Sequence, residues 1–215
     1  MNKRGILVVV SGFSGAGKGC LMKALLSSYD CYALSVSATT RDPREGEING
    51  REYFFVTEER FREMIEQEAL YEYAEYQNHF YGTPRSYVDD RLNEGKDVIL
   101  EIDVQGAETI KKRFPDTVLI FITPPSAKEL ERRLVERGSE TPDKIRGRLL
   151  RAVEEAKYMP FYDYILINDD LEECTKELHA IIQSEHTKSA RDRDFIIEIS
   201  DELRKITNTK GEDAL

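Results

Sequence analysis

The sequence predicts an α/β fold in which a parallel sheet is covered by helices on both faces. Strand-like runs alternate with helical patterns, and runs such as residues 5–10, 97–104 and 117–123 are largely apolar rather than alternating, the pattern of strands buried on both sides. A glycine-rich loop follows the first of these strands and opens the first helix. The 215 residues suit one large domain, or a core with small insertions.

Taken in order, residues 5–10 form a short buried strand with β-branched residues, and residues 21–26 begin a helix. Residues 32–37 read as the second strand. Residues 38–50 hold Pro43, Gly46 and Gly50 and read as a loop. Residues 53–56 are strand-like, and Thr57 caps a helix to about Gln67, with Glu58 and Glu59 in its first turn. Residues 70–77 read as a strand. Thr83-Pro84 starts a helix that Gly95 closes. The strands at 97–104 and 117–123 flank a helix at 107–113. Helices follow at 126–137 and 144–157, separated by a break at 138–143. The last apolar strand is 164–167, with a helix from 171 to about 184 and a strand or helix at 195–206. The segment from about Asp42 to Ser86 breaks the alternation and reads as an inserted lobe, and residues 138–148 as a smaller charged insertion.

Apolar residues make up 40% and charged residues 33%, enough for a core and unlike a disordered chain. Lys and Arg number 31 against 41 Asp and Glu, a net charge of −10, which disfavours a nucleic-acid backbone as partner. The longest apolar runs, 6–10 and 118–122, are far shorter than the roughly 20 residues of a membrane helix. Cys20, Cys31 and Cys174 are odd in number and lack metal-ligand spacing, as do His79, His179 and His186. The expectation is a soluble, cytoplasmic protein that binds neither nucleic acid nor membrane.

The strongest chemical signal is the loop Gly12, Phe13, Ser14, Gly15, Ala16, Gly17, Lys18 and Gly19, followed by Cys20. Backbone N–H groups of such a loop cradle phosphate oxygens, the helix N-terminus adds its dipole, and Lys18 reaches the outer phosphates. Gly19 stands where Ser or Thr would supply a magnesium ligand. Arg41 and Arg44 flank a proline-stiffened turn and offer two forks for one phosphate; a solvated basic loop is the alternative. Glu72 lies among Tyr71, Tyr73 and Tyr76, which most simply pack along a strand. Its carboxylate needs a partner, and a base with N–H donors or a structural ion pair would serve. Glu101 and Asp103 share one face by the strand period, at the C-terminal end where open α/β sheets bind ligands. Asp103 is therefore a candidate to read a base or hold magnesium through water. Arg132, Arg133, Arg137, Arg146, Arg148 and Arg151 crowd one stretch and could neutralise a transferring phosphoryl group. Surface pairing with Glu129, Glu131, Glu136 and Glu140 is the reading adopted for Arg132 and Arg151.

Several segments in order resemble the guanylate kinase family: residues 12–19, 35–44, 46–50, 81–83, 102–106 and 167–170. The resemblance runs from about Gly5 to Ser184. It implies a P-loop nucleoside monophosphate kinase fold over residues 3–186, with a core (3–37, 87–137, 149–186), a GMP-binding lobe (38–86) and a lid (138–148), then a tail (187–215) of unassigned role. It implies transfer of the γ-phosphoryl group of Mg·ATP to GMP, giving ADP and GDP, within purine metabolism. By resemblance, Ser37, Arg41, Arg44, Tyr53 and Tyr81 hold the GMP phosphate, while Glu72, Thr83 and Asp103 read guanine. Lys18, Arg133, Arg137 and Arg148 act on the ATP phosphates, the loop from Gly12 to Cys20 binds ATP, and Asn168 lies near adenine. No direct protein ligand for Mg2+ is expected, and the chain is expected as monomer or homodimer. Phe13 and Cys20 depart from the family's usual Pro and Thr. A kinase of another phosphate ester and a non-catalytic module that binds phosphorylated protein are the competing readings.

Overall fold

The computed structural model describes residues 4–136 and 141–212. The strands are β1 (Leu7–Gly12), β2 (Tyr32–Leu34), β3 (Ala38–Thr39), β4 (Phe54–Phe55), β5 (Leu70–Tyr76), β6 (His79–Pro84), β7 (Asp97–Glu101), β8 (Val118–Thr123) and β9 (Tyr164–Ile167). The helices are α1 (Lys18–Ser28), α2 (Glu58–Glu66), α3 (Arg85–Asn93), α4 (Val104–Arg113), α5 (Ala127–Glu136), α6 (Pro142–Ala156), α7 (Leu171–Glu185) and α8 (Arg193–Glu212). Two compact units are distinguished, Met1–Leu178 and His179–Leu215.

In the first unit a five-stranded parallel sheet runs in the order β2-β7-β1-β8-β9. Val8, Val9, Val10, Val98, Ile99, Leu100, Ile120, Phe121 and Ile122 are fully buried, which is why these strands carry no polar alternation. A separate mixed sheet, β4-β3-β6-β5, forms the inserted lobe over its own small core of Ala38, Phe61, Met64 and Leu70. In the second unit α8 follows a short 3₁₀ turn, Ser189–Arg191. The buried Glu185 carboxylate there pairs with Lys188 at 2.5 Å and Arg191 at 3.6 Å.

Local chemistry accounts for several element ends. Thr57 caps α2 by accepting the Arg60 N–H at 3.2 Å. Gly95, at φ +84°, closes α3: its N–H donates to Leu92 O and that of Lys96 to Arg91 O, both at 3.0 Å. Four boundaries differ from expectation. The predicted strand 32–37 ends at Leu34, because the chain then leaves the parallel sheet and enters the second one, where Ala38 and Thr39 pair with Phe54 and Phe55. The expected loop at 38–50 therefore begins with a strand. Strand β6 takes in residues 79–82, to which no element was assigned, and Thr83-Pro84, expected to start a helix: Gln77 and Asn78 at φ +51° and +62° form a tight hairpin turn, and Pro84 is the extended residue before α3. The strand predicted over 97–104 stops at Glu101, since Asp103 caps α4. The break expected at 138–143 gives way to α6 already at Pro142, a favourable first-turn proline.

Candidate functional site

Two neighbouring parallel strands bring the chemistry together. Val10 of β1 lies opposite Glu101 of β7, so the loop after Gly12 and the side chain of Asp103 emerge at the same C-terminal edge of the sheet.

The phosphate-loop candidate is shaped by close approaches. A Cβ on Gly12 would sit 2.1 Å from Ile122 O, so β1 can lie this close to β8 only with glycine there. Gly17 takes φ +88° at the start of α1, where a Cβ would meet Asn168 Nδ2 at 2.5 Å. Asn168 is itself buried: its side-chain amide donates to Ala16 O at 2.8 Å, and its N–H donates to Thr123 O at 2.8 Å. It thereby braces the loop from behind. Phe13 packs edge-on against Phe121, with ring centroids 4.9 Å apart, which explains an aromatic at this position. Lys18 Nζ donates to the carbonyls of Gly12 (2.8 Å) and Phe13 (3.1 Å). Gly19 has open space where its Cβ would be, and the Cys20 side chain is exposed.

In the lobe, Arg41 is nearly buried. Its guanidinium donates to Glu47 Oε1 at 2.9 Å and to Asp42 O at 2.6 Å, and lies 5.4 Å from the Tyr53 ring centroid. The Tyr53 and Tyr81 rings are 6.0 Å apart. Glu47 Oε2 accepts the Arg44 N–H at 2.7 Å, and its carboxyl is held below the ordinary value by the hydrogen bonds from Arg41 and Arg44. One carboxylate thus organises both arginine positions of the turn, while the Arg44 side chain stays exposed. Ser37 precedes β3, its carbonyl accepting the Phe54 N–H at 2.8 Å. Sequence reading assigned Glu47 no role; its place three residues after Arg44 was the available signal.

Glu72, Thr83 and Asp103 also converge. The fully buried Thr83 hydroxyl donates to Glu72 Oε1 at 2.7 Å. The Gly106 N–H donates to Asp103 Oδ1 at 2.9 Å. A Cβ built on Gly106 would lie 3.5 Å from Asp103 Oδ1 and 3.6 Å from Glu72 Oε2. Burial pushes the Glu72 carboxyl up, the Thr83 bond opposes this, and the Asp103 charge adds to the rise. No ion pair neutralises Glu72 among the described residues, so the structural-pairing alternative fails for it. The neighbouring tyrosines divide: Tyr71 is buried and its hydroxyl donates to Asp89, whereas Tyr73 and Tyr76 are exposed.

Helix α6 lies over this edge. Arg148 Nη1 donates to Ser14 Oγ at 2.7 Å. Arg151 reaches Asp103 (Nη2–Oδ2 3.8 Å) and Glu155 (Nε–Oε1 3.1 Å), not the glutamates expected for it. Arg132 does pair as expected, with Glu129 and Glu136. Arg133 Nε is also held, by Glu129 at 2.7 Å. Arg137 lies outside the described residues. Arg151 was read as a surface ion pair and Glu155 was missed, although their i, i+4 spacing and their offsets of three and seven from Arg148 mark one helix face.

The family model for guanylate kinase matches residues 4–185. The chain belongs to the guanylate kinase family. It is 46% identical over 202 residues to the guanylate kinase of Caldanaerobacter subterraneus subsp. tengcongensis, covering 94% of this chain and 98% of that one. To the guanylate kinase of Clostridioides difficile it is 49% identical over 196 residues, covering 91% and 96%. The crystal structure of guanylate kinase from Anaplasma phagocytophilum matches with a TM-score of 0.68 at 33% identity, over 88% of this chain and 90% of that one. The five-stranded parallel sheet with a separate four-stranded lobe is the guanylate kinase fold. No helix among the described residues is long and apolar enough to cross a membrane.

Among the described residues no group of three His, Cys, Asp or Glu side chains is placed to hold a metal ion. With glycine at 19 and Asp103 Oδ1 engaged by Gly106 N–H, the donor set fits a cation carried by nucleotide phosphates rather than one caged by protein.

Proposed function

We propose that this chain carries out ATP:GMP phosphotransfer along the edge where the phosphate loop, α6 and the lobe meet, with its residues in the roles below. Guanylate kinase activity, that of a nucleoside monophosphate kinase, follows from family membership. The division of labour is our reading, and it rests chiefly on the convergence of Glu72 and Asp103 over Gly106 beside the phosphate loop.

The loop from Gly12 to Cys20 binds ATP, with the α1 N-terminus directed at its phosphates. Lys18 exchanges the Gly12 and Phe13 carbonyls for phosphate oxygens and stabilises charge in the transition state. Arg148, already at Ser14, joins it, with Arg133 and Arg137 as further cations from the segment around the lid at 138–148. Asn168 keeps the loop in shape and lies toward the adenine end. Ser37, Arg41, Arg44, Tyr53 and Tyr81 hold the GMP phosphate. Glu72 and Asp103 accept the guanine N–H donors, with Thr83 orienting Glu72. Mg2+ accompanies ATP and supplies charge neutralisation; Asp103 is the residue that would meet it, through water. Positioning and charge do the catalytic work, since phosphoryl transfer asks little covalent chemistry of the protein.

A coupled assay of ADP release with GMP, AMP, UMP and ribose phosphate tests this reading; equal turnover of all four would overturn it. The intact loop with Lys18 argues against a non-catalytic binding module.

Two narrower results are expected. Arg41→Ala and Arg44→Ala each raise the KM for GMP tenfold or more, about the 1.5–3 kcal/mol of a charged hydrogen bond, and change the KM for ATP far less. Arg41→Ala has the larger effect, because it also leaves Glu47 unpaired. Unchanged GMP kinetics in both variants would return these arginines to a solvated surface role. Cys20→Ser keeps activity and magnesium dependence, because a thiol is a poor ligand for a hard cation, and ATP slows alkylation of the exposed Cys20. Equal labelling rates with and without ATP would remove Cys20 from the ATP site.

A further inference from the structure

We propose that Arg151, held by Glu155, is a positioning residue that fixes the oxygen Asp103 presents to guanine. The inference rests on the guanine-reading role given to Asp103.

The Asp103 carboxylate has two oxygens with different duties. Oδ1 caps α4 by accepting the Gly106 N–H at 2.9 Å. Oδ2 remains for a ligand, and the one cation paired with it among the described residues is Arg151, at 3.8 Å. The cap holds Oδ1, the Arg151 charge lies beside Oδ2, and Oδ2 keeps acceptor capacity for an N–H donor. The guanidinium is fixed in turn: its Nε donates to Glu155 Oε1 at 3.1 Å, and the Glu155 side chain is only 12% exposed. Arg151 and Asp103 are 55% and 44% exposed, so the open side of the pair is reachable by substrate.

The pair has an electrostatic reason as well. Glu72 and Asp103 direct two carboxylates at one space over Gly106, and the Asp103 charge adds to the rise of the Glu72 carboxyl. A cation beside Asp103 offsets that repulsion. Arg148 lies three residues before Arg151 and contacts Ser14 of the phosphate loop. The same face of α6 therefore touches both the ATP loop and the guanine-reading carboxylate. Lys cannot replace Arg here, because its donors share one nitrogen, whereas the guanidinium meets Glu155 through Nε and Asp103 through Nη2 at once.

The test is a double-mutant cycle read in the KM for GMP and for ATP. Arg151→Ala is expected to raise the KM for GMP about three- to fivefold, the scale of a half-exposed ion pair, with a smaller change in the KM for ATP and in kcat. Arg151→Lys recovers only part of the loss. In an Asp103→Asn background Arg151→Ala adds no further rise. An unchanged KM for GMP in Arg151→Ala, or a rise that persists undiminished in Asp103→Asn, overturns the proposal. Removing Arg151 also leaves the buried Glu155 short of a partner, so the Arg151→Ala/Glu155→Gln variant must show the same GMP effect; its disappearance there would trace the effect to Glu155 and overturn the proposal too. Asp103→Asn alone leaving the KM for GMP unchanged would defeat the guanine-reading role itself, an outcome distinct from a silent Arg151→Ala beside an effective Asp103→Asn.

Discussion

Lys18→Ala protein is expected to remain folded and to lose about 10²–10³-fold in kcat, the scale for removing one charge contact from a preorganised transition state. The side chain donates to two loop carbonyls in this structure, so its removal costs some stability as well. A hydrogen bond from a charged group is worth about 1.5–3 kcal/mol, so losing two of them stays within the roughly 5–15 kcal/mol stability of a domain. The KM for ATP should rise less than kcat falls, because the backbone of the loop still binds phosphate while the charge developing on the transferring group goes unmet. Circular dichroism establishes the fold, and single-turnover rates establish the loss. Near-normal turnover in folded Lys18→Ala protein would defeat the assigned mechanism.

Preference for GMP over AMP in kcat/KM should exceed about 10³-fold, the regime in which the wrong base leaves a site's buried polar groups unpaired. Guanine offers N–H donors on the edge where adenine offers an acceptor, and Glu72 and Asp103 are acceptors when ionised. Each unsatisfied buried acceptor costs about 1–3 kcal/mol. Comparable kcat/KM values for the two nucleotides would remove the base-reading role. The pH dependence follows from Glu72. Its carboxyl is raised by burial and by the Asp103 charge, so a falling pH protonates it early and the KM for GMP climbs. The effect on stability has the opposite sign. A raised native pKa means that the fold binds the proton more tightly than the unfolded chain does. Glu72's contribution to stability is therefore full below the ordinary glutamate range and is lost as pH rises through the raised value. Glu72→Gln should flatten the rise in KM at low pH and weaken GMP binding at neutral pH. A KM profile identical in wild type and Glu72→Gln would show that this carboxyl does not titrate at the site.

The layered α/β core was legible from residue order alone, since parallel strands buried on both faces leave continuous apolar runs such as residues 6–10 and 118–122. So was the phosphate-loop candidate, because glycines at 12, 15 and 17 with Lys18 between a strand and a helix answer a local backbone demand. The caps at Thr57 and Gly95 were legible for the same reason: each satisfies groups within a few residues. Strand β6 was not legible, because Pro84 is as compatible with an extended residue before a helix as with the first residue within one, and the hairpin pairing β6 with β5 decides between them. Asp103 looked like a strand residue by period, yet the α4 N–H groups recruited it as a cap. Where the charges went depended on packing. Glu47 became the organiser of Arg41 and Arg44, Asn168 the brace of the glycine-rich loop, and Arg151 the partner of Asp103 and Glu155 rather than of Glu129, Glu131, Glu136 or Glu140. The physical reason is range. Backbone geometry and capping are settled by neighbours in sequence, whereas an exposed arginine pairs with whichever carboxylate the packing of α6 against the sheet edge brings within reach, 48 residues away in the case of Asp103.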